Sequence, residues 1–124
     1  MNEFANKVAV ITGGANGIGK CIAEEFRKQG AAVCVIDKAD GDHFVGDISD
    51  RETLERFAEH VIAQHGHIDY LINNALPLMK GISDCSYDEF QYALAVGVTA
   101  PFYLTKLFQP HIREIGRASC RERV

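Results

Sequence analysis

The residues richest in chemistry lie close to the N-terminus, in Thr12-Gly13-Gly14-Ala15-Asn16-Gly17-Ile18-Gly19. An apolar, β-branched run ends at these glycines, and a helical pattern begins after them. A glycine-rich turn from strand to helix presents backbone N–H groups at the positive end of the helix dipole, which makes an anion site. Gly13 would let the chain turn off the strand, Gly17 would let the backbone approach a pyrophosphate, and Gly19 would let the helix pack close against the sheet. Gly14 to Lys20 also spells Gly-x-x-x-x-Gly-Lys, the front of a triphosphate-binding loop. That loop needs a magnesium-binding hydroxyl at the next position, where this chain has Cys21. Asp37 closes a second apolar run about 20 residues past the loop, where a carboxylate can accept a hydrogen bond from an adenosine ribose 2′-hydroxyl. The same charge repels a 2′-phosphate, so the pattern favours NAD over NADP, with Lys38 as the neighbouring group that could offset the repulsion.

Other reactive residues form no comparable constellation. Cys21, Cys34, Cys85 and Cys120 are dispersed without a Cys-x-x-Cys pair and read as reduced, buried thiols. His60, His65 and His67 are close in sequence, but no thiolate or carboxylate spacing completes a metal set, so a solvated helix end is expected and no metal site.

The elements that must position these residues follow from hydrophobic periodicity. Lys7 to Thr12 predicts a strand buried on both faces, and Ile18, Cys21, Ile22 and Phe26 predict the buried stripe of a helix ending near Gly30. Ala32 to Asp37 predicts a second strand, and Phe44-Val45 a short third one after a loop or single turn. Asp50 can cap a helix whose core stripe is Leu54, Phe57, Ala58, Val61 and Ile62, with Gly66 as its stop. Ile68 to Ile72 reads as the fourth strand, and Ser86 opens a long helix with the stripe Phe90, Leu94, Val98, Phe102 and Phe108. Within it, the Pro101 ring crowds the carbonyl of Gly97, which predicts a kink. This order is that of an α/β, doubly wound parallel sheet with right-handed crossovers.

The 124 residues fit one domain, and a formal charge of −4 provides no basic field for nucleic acid or an anionic membrane. A small soluble ligand is expected instead. Met1 to Asn6 does not resemble a signal peptide, and no apolar stretch is long enough to span a bilayer, so the expected location is the cytoplasm.

Three motifs in register resemble the short-chain dehydrogenase/reductase family over residues 4–113. The loop matches its Thr-Gly-x-x-x-Gly-x-Gly fingerprint, Asp47-Ile48 resembles its adenine-contacting Asp-hydrophobic pair, and Asn73-Asn74-Ala75 resembles its Asn-Asn-Ala-Gly. The resemblance implies a Rossmann-like fold. Loop and resemblance together assign cofactor contacts to Thr12, Gly13, Asn16, Gly17, Ile18, Gly19, Asp37, Asp47, Ile48, Asn73 and Asn74. Two positions depart from the family. Leu76 replaces the final glycine of Asn-Asn-Ala-Gly, and Gly97 stands where the family carries an asparagine of its catalytic tetrad, so Gly97 receives no catalytic role. The family's catalytic Ser and Tyr-x-x-x-Lys would follow a fifth strand. Tyr70, Tyr87, Tyr92 and Tyr103 all lack a lysine four residues on, so no catalytic residue is assigned.

The run from Glu114 to Val124 lacks the apolar character of a fifth strand and back-translates into a widely used short-read sequencing adapter. Residues 1–113 are therefore expected to form an incomplete NAD-binding domain, and 114–124 an adapter-derived tail. The functional expectation is the cofactor-binding part of an NAD-dependent oxidoreductase, inactive alone. The full-length parent would act on a small alcohol or carbonyl substrate and form a homo-oligomer. A non-catalytic NAD-binding module and an inert gene fragment are the alternatives.

Overall fold

A computed structural model describes residues 3–77 and 80–113. Strands β1 (Val8–Thr12), β2 (Ala32–Asp37), β3 (Phe44–Val45) and β4 (Tyr70–Asn73) form one sheet in the order β3-β2-β1-β4. Every pairing is parallel. Helices α1 (Gly17–Lys28), α2 (Arg51–His65), α3 (Tyr87–Leu94) and α4 (Ala100–Phe108) complete the Rossmann-like α/β arrangement, with a π-helical turn, Ala95–Thr99, between α3 and α4.

All five residues of β1 are buried, because the strand lies between two others and is covered on both faces. On one face, Val8, Val10 and Ile36 share a core with Phe57 and Val61 of α2 and Leu104 and Phe108 of α4. On the other, Ile11 and Val35 meet Ala23 of α1, with Ile22 and Phe26 packed alongside. Each fully buried aliphatic side chain of this kind contributes about 1.5–3 kcal/mol.

Local signals set the helix limits where expected. The Asp50 side chain accepts the Thr53 N–H at 3.0 Å to cap α2, and Gly66 ends that helix in the left-handed region at φ 79°. The short segment before β3 contains no helix.

Four expectations need correction. The fourth strand starts at Tyr70, and Ile68 instead bridges Ile112, its N–H donating to the His111 carbonyl and its carbonyl accepting the Arg113 N–H, both at 3.0 Å, while the Asp69 carboxylate takes the Val8 N–H at 2.8 Å. In α1, Ile18 and Cys21 are exposed while Gly19 and Ala23 are the buried positions, so a small-residue face lies against the sheet. Cys34 is partly buried, and that burial raises its thiol to about 11 against the opposing charge of Arg27. Cys120 lies outside the described residues. The stripe expected in the long helix is also rotated. Phe90, Leu94, Val98 and Phe102 are exposed, whereas Ala93, Val96, Ala100, Leu104 and Phe108 are buried. This segment has two apolar faces, and the one with small residues permits the closer approach to the core. Ahead of Pro101, where crowding predicts a kink, the chain forms a π-helical turn, in which the Ala100 N–H reaches back five residues to the Ala95 carbonyl. Among the described residues, no helix is long and apolar enough to cross a membrane, and no group of histidine, cysteine and carboxylate side chains could hold a metal ion.

Candidate nucleotide-binding site

The C-terminal ends of β1, β2 and β4 open onto a cavity of about 740 Å³, the position where open parallel sheets take their ligands. Gly13, Ile18, Asp37, Asp47, Ile48 and Asn74 of the expected set line it. Thr12, Asn16, Gly17, Gly19 and Asn73 do not line it.

The turn is held by a specific network. Gly13 has φ 69° and donates its N–H to the Ile36 carbonyl at 2.9 Å, and a Cβ there would lie 2.9 Å from the Ala75 Cα. The buried Thr12 hydroxyl accepts the N–H groups of Asn74 and Ala75, both at 3.1 Å. Asn74 Nδ2 donates to the Gly13 carbonyl at 3.0 Å. These bonds tie the end of β4 to the start of the loop. Gly19 is required by the same knot, since a Cβ on it would overlap the Gly13 carbonyl oxygen and the Asn74 amide nitrogen. Its close approach is thus to the loop and Asn74, where the sequence suggested the sheet. Gly14, given no role from sequence, lies against Val35, whose methyl carbons would be 2.9 Å from a Cβ.

Gly17 differs from the other loop glycines. Its φ is 57°, and a Cβ would meet nothing within 4 Å, so the backbone there faces open space. Asn16 caps α1 without a side-chain hydrogen bond, and the first turn of α1 carries no acidic residue. The first N–H groups of the helix and its dipole are therefore not neutralised by a side chain, as an anion site requires.

Asp37, half-buried at the end of β2, accepts the Ala15 N–H on one carboxylate oxygen and the Ala39 N–H on the other, both at 3.0 Å. It fixes the second half of the glycine loop while facing the cavity. Asp47 accepts the Ser49 N–H at 2.9 Å and the Tyr92 hydroxyl at 3.0 and 3.2 Å. Burial pushes the Asp47 carboxyl up, but the Ser49 and Tyr92 hydrogen bonds and the charge of Lys38 outweigh it, leaving the group below its ordinary range. Ile48, 8% exposed, joins the core beneath the cavity. Asn73 keeps a buried side-chain oxygen with no hydrogen-bond partner among the described residues.

The two departures from the family pattern fit the backbone without strain. Leu76 does not adopt a positive φ, since Asn6 is the only described non-glycine residue that does, and its exposed side chain projects along the cavity wall. Gly97 also has no positive φ, and a Cβ there would touch the Pro77 ring at 3.6 Å, an ordinary contact. Neither the backbone nor the surrounding space therefore requires glycine at 97.

Tyr92 was missed as a site residue, and the sequence marks Lys38 only as a group that could offset the charge of Asp37. Tyr92 sits on α3 and reaches the cavity between Asp47 and Lys38, whose Nζ lies 3.3 Å from its hydroxyl and 5.4 Å from its ring centre. Only the position of Tyr92 two turns into a capped helix could have signalled this.

A doubly wound sheet with a glycine loop, an uncapped helix start and a carboxylate at the end of the second strand defines a nucleotide-binding protein of the Rossmann class. The short chain dehydrogenase family matches residues 7–119, and this chain belongs to it. Momilactone A synthase of Oryza sativa subsp. japonica is 36% identical over 84% of this chain and 44% of its own length. L-fucose dehydrogenase of Mus musculus is 30% identical over 92% of this chain and 47% of its own. The chain spans about half the length of the curated relatives it matches. Among solved structures, an apo SCOR enzyme from Clostridium thermocellum superposes with TM-score 0.82 at 37% identity, covering 86% of this chain and 49% of that one. A metagenomic short-chain oxidoreductase in complex with NADP superposes with TM-score 0.81 at 28% identity over 87% and 56%.

Proposed function

We propose that this chain is the NAD-binding part of a cytoplasmic short-chain oxidoreductase that moves hydride between the cofactor and a small alcohol or carbonyl substrate. NAD, when bound, supplies the hydride acceptor. The residues present suit it. The open backbone at Gly17 and the uncapped start of α1 would take the pyrophosphate, Asp37 the ribose hydroxyls, and Asp47 with Ile48 the adenine. The observation that carries the choice of NAD is the Asp37 carboxylate, fixed by two backbone N–H groups at the cavity wall, where its negative charge would oppose a 2′-phosphate.

No described residue is assigned to proton transfer. We place that chemistry in the part of the full-length protein that lies beyond residue 113, together with the substrate contacts. The exposed apolar face of Phe90, Leu94, Val98 and Phe102 supports self-association of the full-length protein. The reading of 114–124 as adapter-derived lies outside the described residues and is tested by sequencing the locus across codon 113. A Tyr-x-x-x-Lys in the continuing frame supports a dehydrogenase, and its absence supports a non-catalytic binding module.

Calorimetric titration of the full-length protein with NAD and NADP tests the cofactor reading. Saturable binding with NAD the tighter is expected. Equal affinities, or preference for NADP, would remove the role given to Asp37.

A further inference from the structure

We infer that Tyr92 enforces discrimination against NADP by holding the Lys38 ammonium away from the ribose. The inference rests on the cofactor reading above and adds a residue to it. Lys38 directly follows Asp37 and is the nearest side chain in sequence able to neutralise a 2′-phosphate. Left free, a lysine at this position would undo much of the repulsion that Asp37 imposes. It is engaged elsewhere. Its Nζ donates to the Tyr92 hydroxyl at 3.3 Å and lies over the Tyr92 ring at 5.4 Å, within the range of a cation–π contact.

Tyr92 is itself anchored. Its single hydroxyl proton is directed at the Asp47 carboxylate, 3.0 and 3.2 Å away, which leaves the hydroxyl oxygen to accept from Lys38. Lys38, Tyr92 and Asp47 thus form a donor chain that ends on a carboxylate, and each bond in such a chain strengthens the next. The Asp37 carboxylate is separately occupied by the N–H groups of Ala15 and Ala39 and makes no hydrogen bond to Lys38. The ammonium is therefore held at Tyr92 of α3, while the Asp37 carboxylate is fixed by the N–H groups of Ala15 and Ala39. The charged groups that line the recess beside Ala15 are Lys20, Glu24 and Arg27 of α1 and Asp40 and Asp42 of the loop before β3, with His43 next to them. None of them is tied to Tyr92, whose hydroxyl bonds Lys38 and Asp47, so the Lys38→Met background separates release of the ammonium from loss of the Asp47 bond.

The test is titration of the full-length protein and its Tyr92→Phe, Lys38→Met and double variants with NAD and NADP, read as the ratio of the two affinities. Tyr92→Phe keeps the ring and its cation–π contact and removes the hydroxyl that bonds both Lys38 and Asp47. We expect it to raise NADP affinity relative to NAD by roughly tenfold, the scale of one charge-assisted hydrogen bond to phosphate. In the Lys38→Met background the same substitution should leave the ratio unchanged. An unchanged ratio in Tyr92→Phe, with NAD still bound by the wild type, would overturn the inference and leave the cofactor reading intact. So would a shift that persists without Lys38, or equal weakening of both cofactors, which would make Tyr92 a support for Asp47 only. Failure of the wild type to bind either nucleotide would overturn both.

Discussion

The Asn74 side-chain amide donates to the Gly13 carbonyl at 3.0 Å, joining the end of the fourth strand to the first turn of the glycine loop across 61 residues of sequence. Gly19 closes over this bond with no room for a methyl group.

Gly19→Ala should therefore displace either the loop or Asn74. Overpacking of this kind costs about 1–3 kcal/mol. Chemical denaturation should show that loss, and nucleotide affinity should fall further than stability alone explains. Gly17→Ala tests the contrast: its added methyl would meet nothing, so the cost comes from the positive φ and from blocking the approach of a pyrophosphate.

Asp37 anchors the glycine loop and is proposed to read the ribose, and its variants should separate the two. Asp37→Ala removes the ribose acceptor and the anchors of Ala15 and Ala39, so NAD affinity should fall by about 10–100-fold, the scale of a hydrogen bond to a charged group. Asp37→Asn retains one acceptor for the loop and removes the charge. It should lose less NAD affinity and gain more for NADP, both readable by titration.

The start of α3 should respond to acid in a defined window. Glu89 is held at about 2, first by its hydrogen bond from Lys80 and then by the Ser86 N–H of the capping box. A carboxyl lowered on folding contributes stability that is fully present above its unfolded value of about 4.3 and is lost as pH falls through the folded one. NMR titration of Glu89 should place its midpoint below that of an ordinary glutamate, and Lys80→Ala should raise it. Because the pair is exposed, added salt should weaken the effect. Ser86→Ala, which removes the cap itself, should cost about 1 kcal/mol.

The exposed side chains of Phe90, Leu94, Val98 and Phe102 should drive association. Phe102→Glu should shift the full-length protein toward monomer in analytical ultracentrifugation, with nucleotide affinity little changed because Phe102 does not line the cavity. Unaltered sedimentation would place self-association on another face.

Much of this arrangement was legible because it is written in local chemistry. Asp50 and Gly66 mark the ends of α2 through a side-chain acceptor and a left-handed turn, and the compression of residues 38–43 leaves no length for a helix. The choice of buried face was not legible in α1 or in the long helix. Both segments carry apolar residues on two sides, and close packing favours Gly19, Ala23, Ala93 and Ala100 over the larger Ile18, Phe90 and Phe102. The site divides in the same way. The loop and Asp37 follow from motif spacing and Asp47 from the family resemblance, while the tie between Tyr92 and Asp47 spans 45 residues and depends on where α3 lies across the sheet.

The most direct test of the central claim is a crystal structure of the full-length protein with NAD. The pyrophosphate should lie over Gly17 at the start of α1, the adenosine ribose hydroxyls against Asp37, and the adenine beside Asp47 and Ile48. A nucleotide bound elsewhere, or bound in this cavity with its ribose turned away from Asp37, would contradict the account.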